Sequence, residues 1–431
     1  MQGRSTLASL GLAMLGLATL GLAGCNGLKS GDDSIHANLR FVNLMTDQAT
    51  VSVLLDDATQ LSSLPFEQSS SYQDNAWAAS YTIKINNASN ALLGSFTLAP
   101  AQKSHTTTYL YGSAVGMKYA SFTDEAYTVS SGKFVVRTLL AADNLSGFDL
   151  YVTGASDDLS NLTPTVYAYA AGSMSAYSSE TASGSYRVRL TLSGTKTVVF
   201  DTTMTFDSAT ATTLVLHTLG SSQLPTVMRI KPDDGSAVIV PNTLARLRVV
   251  QGSPDVSGSR ISLDGTAAYQ AVPFAGVTNY VIQSAGTHTL NFSNESTGAA
   301  FISQSQTFQP GRDYTVFSSG LSSAATALVF EDSNLAVSSS RARGRFVNAT
   351  PDQASVDAVV NYQPLLSNIA AGNRSASVDL DALSYPVTFN ASSNGAALAQ
   401  LTTDTLVAGG AYTFALVGAA NSYKAVVFKT N

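Results

Sequence analysis

Side chains able to do chemistry are few and scattered along this chain. His36, His105, His217 and His288 are its four histidines, and none forms a His-x-x-x-His pair. Imidazole metal centres need such spacing or cysteine partners, so structural roles are favoured over a metal or catalytic set. Ser130-Ser131-Gly132-Lys133 fits a Ser-x-x-Lys pattern, in which a lysine activates a serine nucleophile. That chemistry also needs Ser-Asp-Asn and Lys-Thr-Gly partners, and the chain has neither. Carboxylates pair at Asp56-Asp57, Asp157-Asp158, Asp233-Asp234, and Asp379 with Asp381. Paired carboxylates can hold Ca²⁺ through oxygen, but no EF-hand spacing accompanies them, and aspartate also suits turns. Turn roles are favoured, and no catalytic, cofactor-binding or metal-ligating residue is assigned.

Other residues stand out because they recur. Arg40, Arg248 and Arg345 open similar segments, and Asp47, Asp255 and Asp352 follow each at nearly the same spacing. The aspartates read as turn makers after a first strand. The arginines fit a strand's solvent face or an interdomain seam, with a recurrent ligand site as the alternative. Aromatic residues could form sugar-binding platforms if exposed, or simply fill cores. Core filling is favoured for Trp77 with Tyr72 and Tyr81. Tyr167 and Tyr169 fit one face of a strand, with Tyr177 nearby, and exposure there would favour binding.

The elements that carry these residues repeat roughly every hundred residues, the size of a small β-sandwich domain. Arg40-Phe41-Val42-Asn43 leads to Asp47-Gln48-Ala49, and Arg345-Phe346-Val347-Asn348 leads to Asp352-Gln353-Ala354. Arg248-Val249-Val250-Gln251 leads to Asp255, while Val136-Arg137-Thr138-Leu139, leading to Asp143, is a weaker copy with its arginine displaced. Later landmarks are shared. Turn chemistry such as Asp56-Asp57 or Asp264-Gly265 follows the second strand. A strand with period-2 alternation comes next, as in Tyr81–Ile85 and Tyr186–Leu190, and a closing strand follows, as in Tyr314–Phe317 and Tyr412–Leu416. Ser, Thr, Ala, Gly and Val are prominent, Lys, Glu and Arg are scarce, and no helical period appears. The expectation is an all-β chain of four tandem Ig-like, antiparallel β-sandwiches at 37–131, 132–241 (divergent), 242–338 and 339–431, strung as a semi-rigid rod.

Ahead of the repeats, Leu22-Ala23-Gly24-Cys25 matches the lipobox of bacterial lipoproteins and holds the only cysteine. Arg4 precedes an apolar run from Leu7 to Leu22 that contains Gly11, Gly16 and Gly21. The run is shorter than the roughly 20 residues of a membrane-spanning helix. The segment therefore resembles a signal peptide, residues 1–24. The resemblance implies cleavage between Gly24 and Cys25, a diacylglyceryl thioether on Cys25, an acyl chain such as palmitate on its amine, and a tether at 25–36. Asn26 after the cysteine leans toward the outer membrane, on its periplasmic face or at the cell surface. No thiol would remain for a disulfide.

Composition narrows the partners. The formal charge is −6, and only 12% of residues are charged. The usual share is about 25%. No basic cluster exists, which argues against nucleic acid or an anionic membrane face. Hydrophobic residues make up 45%, enough for several cores.

These landmarks resemble the bacterial DUF4397 family. The matching segments are Arg248 to Asp255, Arg345 to Val359, Ala285-Gly286-Thr287-His288-Thr289-Leu290 and Tyr314 to Phe317. The second copy is the poorest and has Ala141-Ala142-Asp143 where others have a Ser-Pro-Asp type turn. The resemblance implies an extracytoplasmic β-sandwich and transfers no catalytic residue. The expected protein is not an enzyme: it is a lipid-anchored envelope display protein, held in the membrane through Cys25, with an envelope protein or a glycan as partner. A glycan- or peptidoglycan-binding module is the first alternative. An enzyme with a site assembled between domains is the second.

Overall fold

A computed structural model describes residues 36–77, 80–124, 126–145, 147–167, 170–220, 222–231, 236–332 and 340–431. Gly24, Cys25, the signal segment and the tether up to residue 35 lie outside these, as do Tyr169 and the Asp233-Asp234 pair. The described elements are all strands, and they form eight sheets, two in each of four successive β-sandwiches.

The first sandwich sets the pattern. One sheet has the order Gln68–Ser69, His36–Met45, His105–Gly112, Lys118–Thr123, with Gln73–Trp77 also pairing to the first strand. The other has the order Ala58–Pro65, Thr50–Leu55, Tyr81–Asn87, Leu92–Leu98. The expected antiparallel pairing holds with one exception per sandwich. His36–Met45 runs parallel to His105–Gly112, and the same parallel pair recurs as Lys133–Leu140 with Thr210–Thr218, Leu244–Val250 with Asp313–Ser319, and Arg341–Ala349 with Ala411–Ala419. Parallel neighbours need a long crossover, and here the whole second sheet supplies it.

The two sheets of a sandwich bury differently, and sequence pattern explains why. Thr50–Leu55 (TVSVLL) alternates half-buried and buried residues, as a sheet with one solvated face must. His36–Met45 (HANLRFVNLM) is buried at seven consecutive positions from Leu39, and Asp313–Ser319 is buried throughout. A strand covered on both faces shows no alternation. Each sheet holding the parallel pair is covered once by its own sandwich core and once by a neighbour.

That neighbour corrects the rod expectation. Val42, Leu44, Tyr109 and Tyr111 of the first sandwich form one buried cluster with Leu139, Val215, Met228 and Ile230 of the second. Val250 and Phe317 of the third likewise join Val347, Ala415 and Val417 of the fourth. The sandwiches therefore pair face to face, first with second and third with fourth. Contact is close enough that a Cβ on Gly172 would lie 2.6 Å from the Tyr111 hydroxyl. The two pairs are joined by Leu244 and Ile282 of the third sandwich, which pack against the core of the second, and by polar contacts, Ser222 Oγ to Asp313 Oδ1 at 2.8 Å and Arg246 Nη1 to Gln223 Oε1 at 3.0 Å.

Hairpin turns follow their residues. Asp56-Asp57, Asp264-Gly265 and Asn361-Tyr362 all have positive φ at both positions, the backbone a two-residue primed turn requires. The first of the paired carboxylates is thus turn chemistry.

Candidate functional site

The sequence candidates do not converge. His105 meets the Tyr72 ring edge-on at 4.8 Å. His217 is fully buried and its Nε2 lies 2.8 Å from Glu67 Oε1, across the first seam. His288 contacts Asp264 Oδ2 at 2.7 Å and the Ser284 carbonyl at 2.9 Å. His36 opens the first strand. Among the described residues no three His, Cys, Asp or Glu side chains could share a metal ion. Ser130 and Lys133 form a turn, in which the Lys133 amide donates to the Ser130 carbonyl at 3.0 Å. Glu180 accepts the Ser130 amide, which lowers the carboxyl of Glu180 below its ordinary value.

The remaining acid pairs make turn or cross-strand contacts. Asp157 accepts the Gly154 amide, and Asp158 accepts the side chain and amide of Ser160, which lower its pKa. Asp381 pairs with Arg341 at 3.2 Å. The recurrent aspartates clasp a second loop rather than only their own turn. Asp47 accepts the Ala114 amide at 3.0 Å through both carboxylate oxygens, Asp255 accepts that of Ser322 at 3.0 Å, and Asp352 accepts that of Ala420 at 2.8 Å. The asparagines of the repeated motif are buried ties: Asn43 Nδ2 donates to the Leu64 carbonyl at 3.0 Å and Asn348 Nδ2 to that of Ile369 at 3.1 Å.

The repeated arginines are the residues that the fold brings together, at the seams. Arg40 is 1% exposed; its Nε donates to Thr107 Oγ1 at 2.8 Å and its Nη2 to Asp124 Oδ2 at 3.3 Å. The guanidinium lies over the Tyr72 ring, 4.5 Å from its centre, and the Tyr72 hydroxyl donates to Asp124 at 2.7 Å. Thr107 also bonds to Asp124. From the second sandwich, Arg137 donates to Thr213 at 2.9 Å, lies over Tyr177 at 4.6 Å, and approaches the other oxygen of Asp124 at 3.9 Å. One carboxylate thus serves both arginines. Burial, reinforced by Asp124, pushes the Tyr72 hydroxyl up to about 12.

The second seam starts from the same positions. Arg248 donates to Thr315 at 3.0 Å, to the Tyr280 hydroxyl at 2.8 Å, and across the seam to the Lys429 carbonyl at 2.8 Å. Tyr280 and Thr315 each donate to Asp332 at 2.6 Å, and Arg248 lies 3.8 Å from that carboxylate. Burial raises the pKa of both Asp332 and Tyr280. In the fourth sandwich Arg345 donates not to a tyrosine but to Ser377, at 2.7 Å. A cavity of about 20 Å³ opens beside it, lined by Arg343, Arg345 and Arg374 with Asp332, Tyr412 and Thr430.

Sequence reading singled out the arginines but not their partners. A signal for them exists. The arginine is followed 32 residues later by Tyr72, Tyr280 or Ser377, and the threonine 17 residues later by Asp124 or Asp332. Tyr72 and Tyr177 prove to be seam residues. Tyr167 is solvent-exposed at 56%, while the side chain of Trp77 lies outside the described part.

The repeated strand, buried arginine and clasping aspartate match a described domain. The family model for a domain of unknown function, DUF4397, matches residues 37–151, 245–358 and 342–431. The chain belongs to the DUF4397 family. In DUF4397 terms, the first match runs past the first sandwich into Phe148–Thr153, and the second runs past the third into Ser355–Val360. The unmatched stretch, 152–244, is most of the second sandwich, whose Arg137 is displaced only relative to Asp143 in sequence and pairs with Thr213 in the register that Arg40 has with Thr107. No curated protein matches the chain. Among solved structures, a family CBM26 module from Eubacterium rectale, solved with maltoheptaose, aligns at 12% identity and TM-score 0.16 over 47% of this chain and 100% of that one. A Bacteroides ovatus protein of a mixed-linkage glucan utilization locus, solved with a heptasaccharide, aligns at 9% identity and TM-score 0.10 over 79% of this chain and 87% of that one. At these scores neither likeness carries a functional argument.

Proposed function

We propose that this DUF4397 protein is a non-enzymatic, lipid-anchored envelope protein that holds two locked sandwich pairs away from the membrane as an interaction surface. The observation that carries the reading is the use made of the repeated polar residues. The asparagines and aspartates of the repeated motif tie their own domain together, while Arg137 and Arg248 also reach across a seam, so the recurring polar residues build and join domains. Catalysis needs a nucleophile or base within hydrogen-bond reach of a solvent-open site, and the candidates for that role sit apart. The lipobox at Leu22–Cys25 supports anchoring, and two or more acyl chains hold firmly where one does not.

The test is metabolic labelling with an alkyne fatty acid, followed by fractionation and protease shaving of intact cells. Wild-type protein should carry label and sediment with membranes. Cys25→Ala should lose the label and leave the membrane fraction. Label retained in Cys25→Ala overturns the anchor, and a turnover that disappears with a defined residue set overturns the non-enzymatic reading.

Binding of a glycan is the second reading, supported by Tyr362 at 80% exposed and Tyr167 at 56%. Exposed aromatic faces suit sugar rings. Retention on purified cell wall that falls when both tyrosines become alanine would place the display surface there. No retention removes this reading.

A further inference from the structure

The cavity at the second seam is built differently from everything at the first. In three sandwiches the repeated arginine lies under a tyrosine ring: Arg40 under Tyr72, Arg137 under Tyr177, Arg248 under Tyr280. In the fourth the position is Ser377, and a cavity stands beside Arg345. The fourth sandwich also brings two further arginines to that cavity. Arg374 bridges to Val347, a place held by Val277 opposite Val250 in the third sandwich and by Met174 opposite Leu139 in the second. Arg343 lies two residues before Arg345 on the same strand.

We propose that this cavity, between the third and fourth sandwiches, is a binding site for a small monovalent anion of chloride size, held by Arg345 and Arg374 with Arg343 behind them. Three lining residues are arginines and one, Asp332, is an acid. That acid is already engaged by Tyr280, Thr315 and Arg248. Arg374, which also donates to the Glu331 carbonyl, and Arg343 both repel the Arg345 guanidinium, and a counter-anion beside Arg345 relieves that repulsion. The pKa of Arg345 is held below the usual arginine range by burial and by neighbouring Arg374 and Arg343. At about 20 Å³ the space takes about one water-sized occupant, which suits a halide better than phosphate or sulfate. Phe330 lies under Arg374, 5.6 Å from its guanidinium, and gives the site an apolar wall that favours a weakly hydrated anion. Such an ion would pin the fourth sandwich to the third.

The experiment uses the full mature chain. Crystals soaked in sodium bromide should show an anomalous peak between Arg345 and Arg374. Thermal unfolding is then compared in sodium chloride, sodium bromide and sodium gluconate at one ionic strength. A halide bound at about ten times its Kd should raise the melting temperature by roughly 2 °C over gluconate. Arg374→Val should abolish both the peak and the halide increment. Ser377→Tyr, which restores the ring found in the other three sandwiches, should abolish the increment in a protein that melts no lower than wild type in gluconate. Absence of the bromide peak, equal melting in halide and gluconate, or a halide increment that survives both substitutions would each overturn the proposal.

Discussion

At the first seam two arginines from two sandwiches share Asp124, and each is covered by a tyrosine ring. At the second, Asp332 is held by Arg248 and Tyr280 on one side, while the other side has traded its ring for Ser377, a cavity and two more arginines. Both seams place matching strands face to face, as an isologous dimer interface does between separate subunits. Tandem duplication supplies that self-complementary surface within one chain. Only one acid per pair is needed. Thr213 pairs with Ile230 and Thr413 with Phe428, and two residues beyond those partners stand Pro232 and Thr430 instead of an aspartate. At the first seam Arg137 of the second sandwich draws its counter-charge from Asp124 of the first; at the second, Asp332 is paired with Arg248 of its own sandwich. Once the charge is shared, the second member is free to diverge, and the fourth sandwich has done so at Ser377.

The largest effect should come from removing that shared charge. Asp124→Ala leaves buried Arg40 and half-buried Arg137 uncompensated, and breaking a buried pair this way costs about 3–5 kcal/mol. Hydrogen exchange should rise together in His36–Met45 and Lys133–Leu140, since both strands face the seam. Asp332→Ala should cost less in chloride than in gluconate, because an anion can replace part of the missing charge. Equal losses at the two seams in every salt would erase the distinction between them.

Smaller effects should separate the ring from the hydroxyl that replaced it. Tyr280→Phe keeps the ring over Arg248 but removes a donor to buried Asp332, a loss of about 1–3 kcal/mol. Ser377→Ala removes one acceptor from the half-buried Arg345, and about 1 kcal/mol or less is expected. Denaturant midpoints of the two variants measured side by side give the order, and a larger loss at Ser377 would mean the fourth sandwich depends on its serine more than the third on its tyrosine.

Much of the fold was legible because short strands and primed turns are local. Asp56-Asp57 and Asp264-Gly265 declare their hairpins through residues that tolerate positive φ, and TVSVLL declares a half-solvated strand. The parallel pair was not legible, since period-2 pattern says nothing of a partner's direction. Pairing of sandwiches was visible only as a missing alternation: the unbroken run at Leu39–Met45 reads as a strand buried on both faces, a covering that neither the linker residues nor the charge could indicate. The repeated arginines were found by their recurrence. Asp124 and Asp332 were not, because they sit in the first and third copies alone, and a residue that alternates between repeats is lost when every copy is expected to match.

Alkaline titration sharpens the first seam most finely. Tyr72 is pushed from 10.0 to about 12, by burial first and by its hydrogen bond to Asp124 second. The unfolded chain therefore gives up this proton before the folded one does. Stability that neutral Tyr72 contributes is fully present below its ordinary pKa and is lost as pH rises from about 10 toward 12. Tyr72→Phe has no such proton, so its stability should fall less steeply across that window, although it starts lower by about 1 kcal/mol for the lost hydrogen bond. Burial also pushes the Tyr109 and Tyr269 hydroxyls up, and both remain in the variant, so the difference between wild type and variant reports Tyr72 together with its charge effect on neighbouring Tyr109. That difference, read from urea midpoints at intervals between about pH 9 and 12, should shrink as pH rises. A difference that stays constant would mean that neither burial nor the bond to Asp124 raises the Tyr72 hydroxyl, and that Arg40 and Arg137 hold the carboxylate without it.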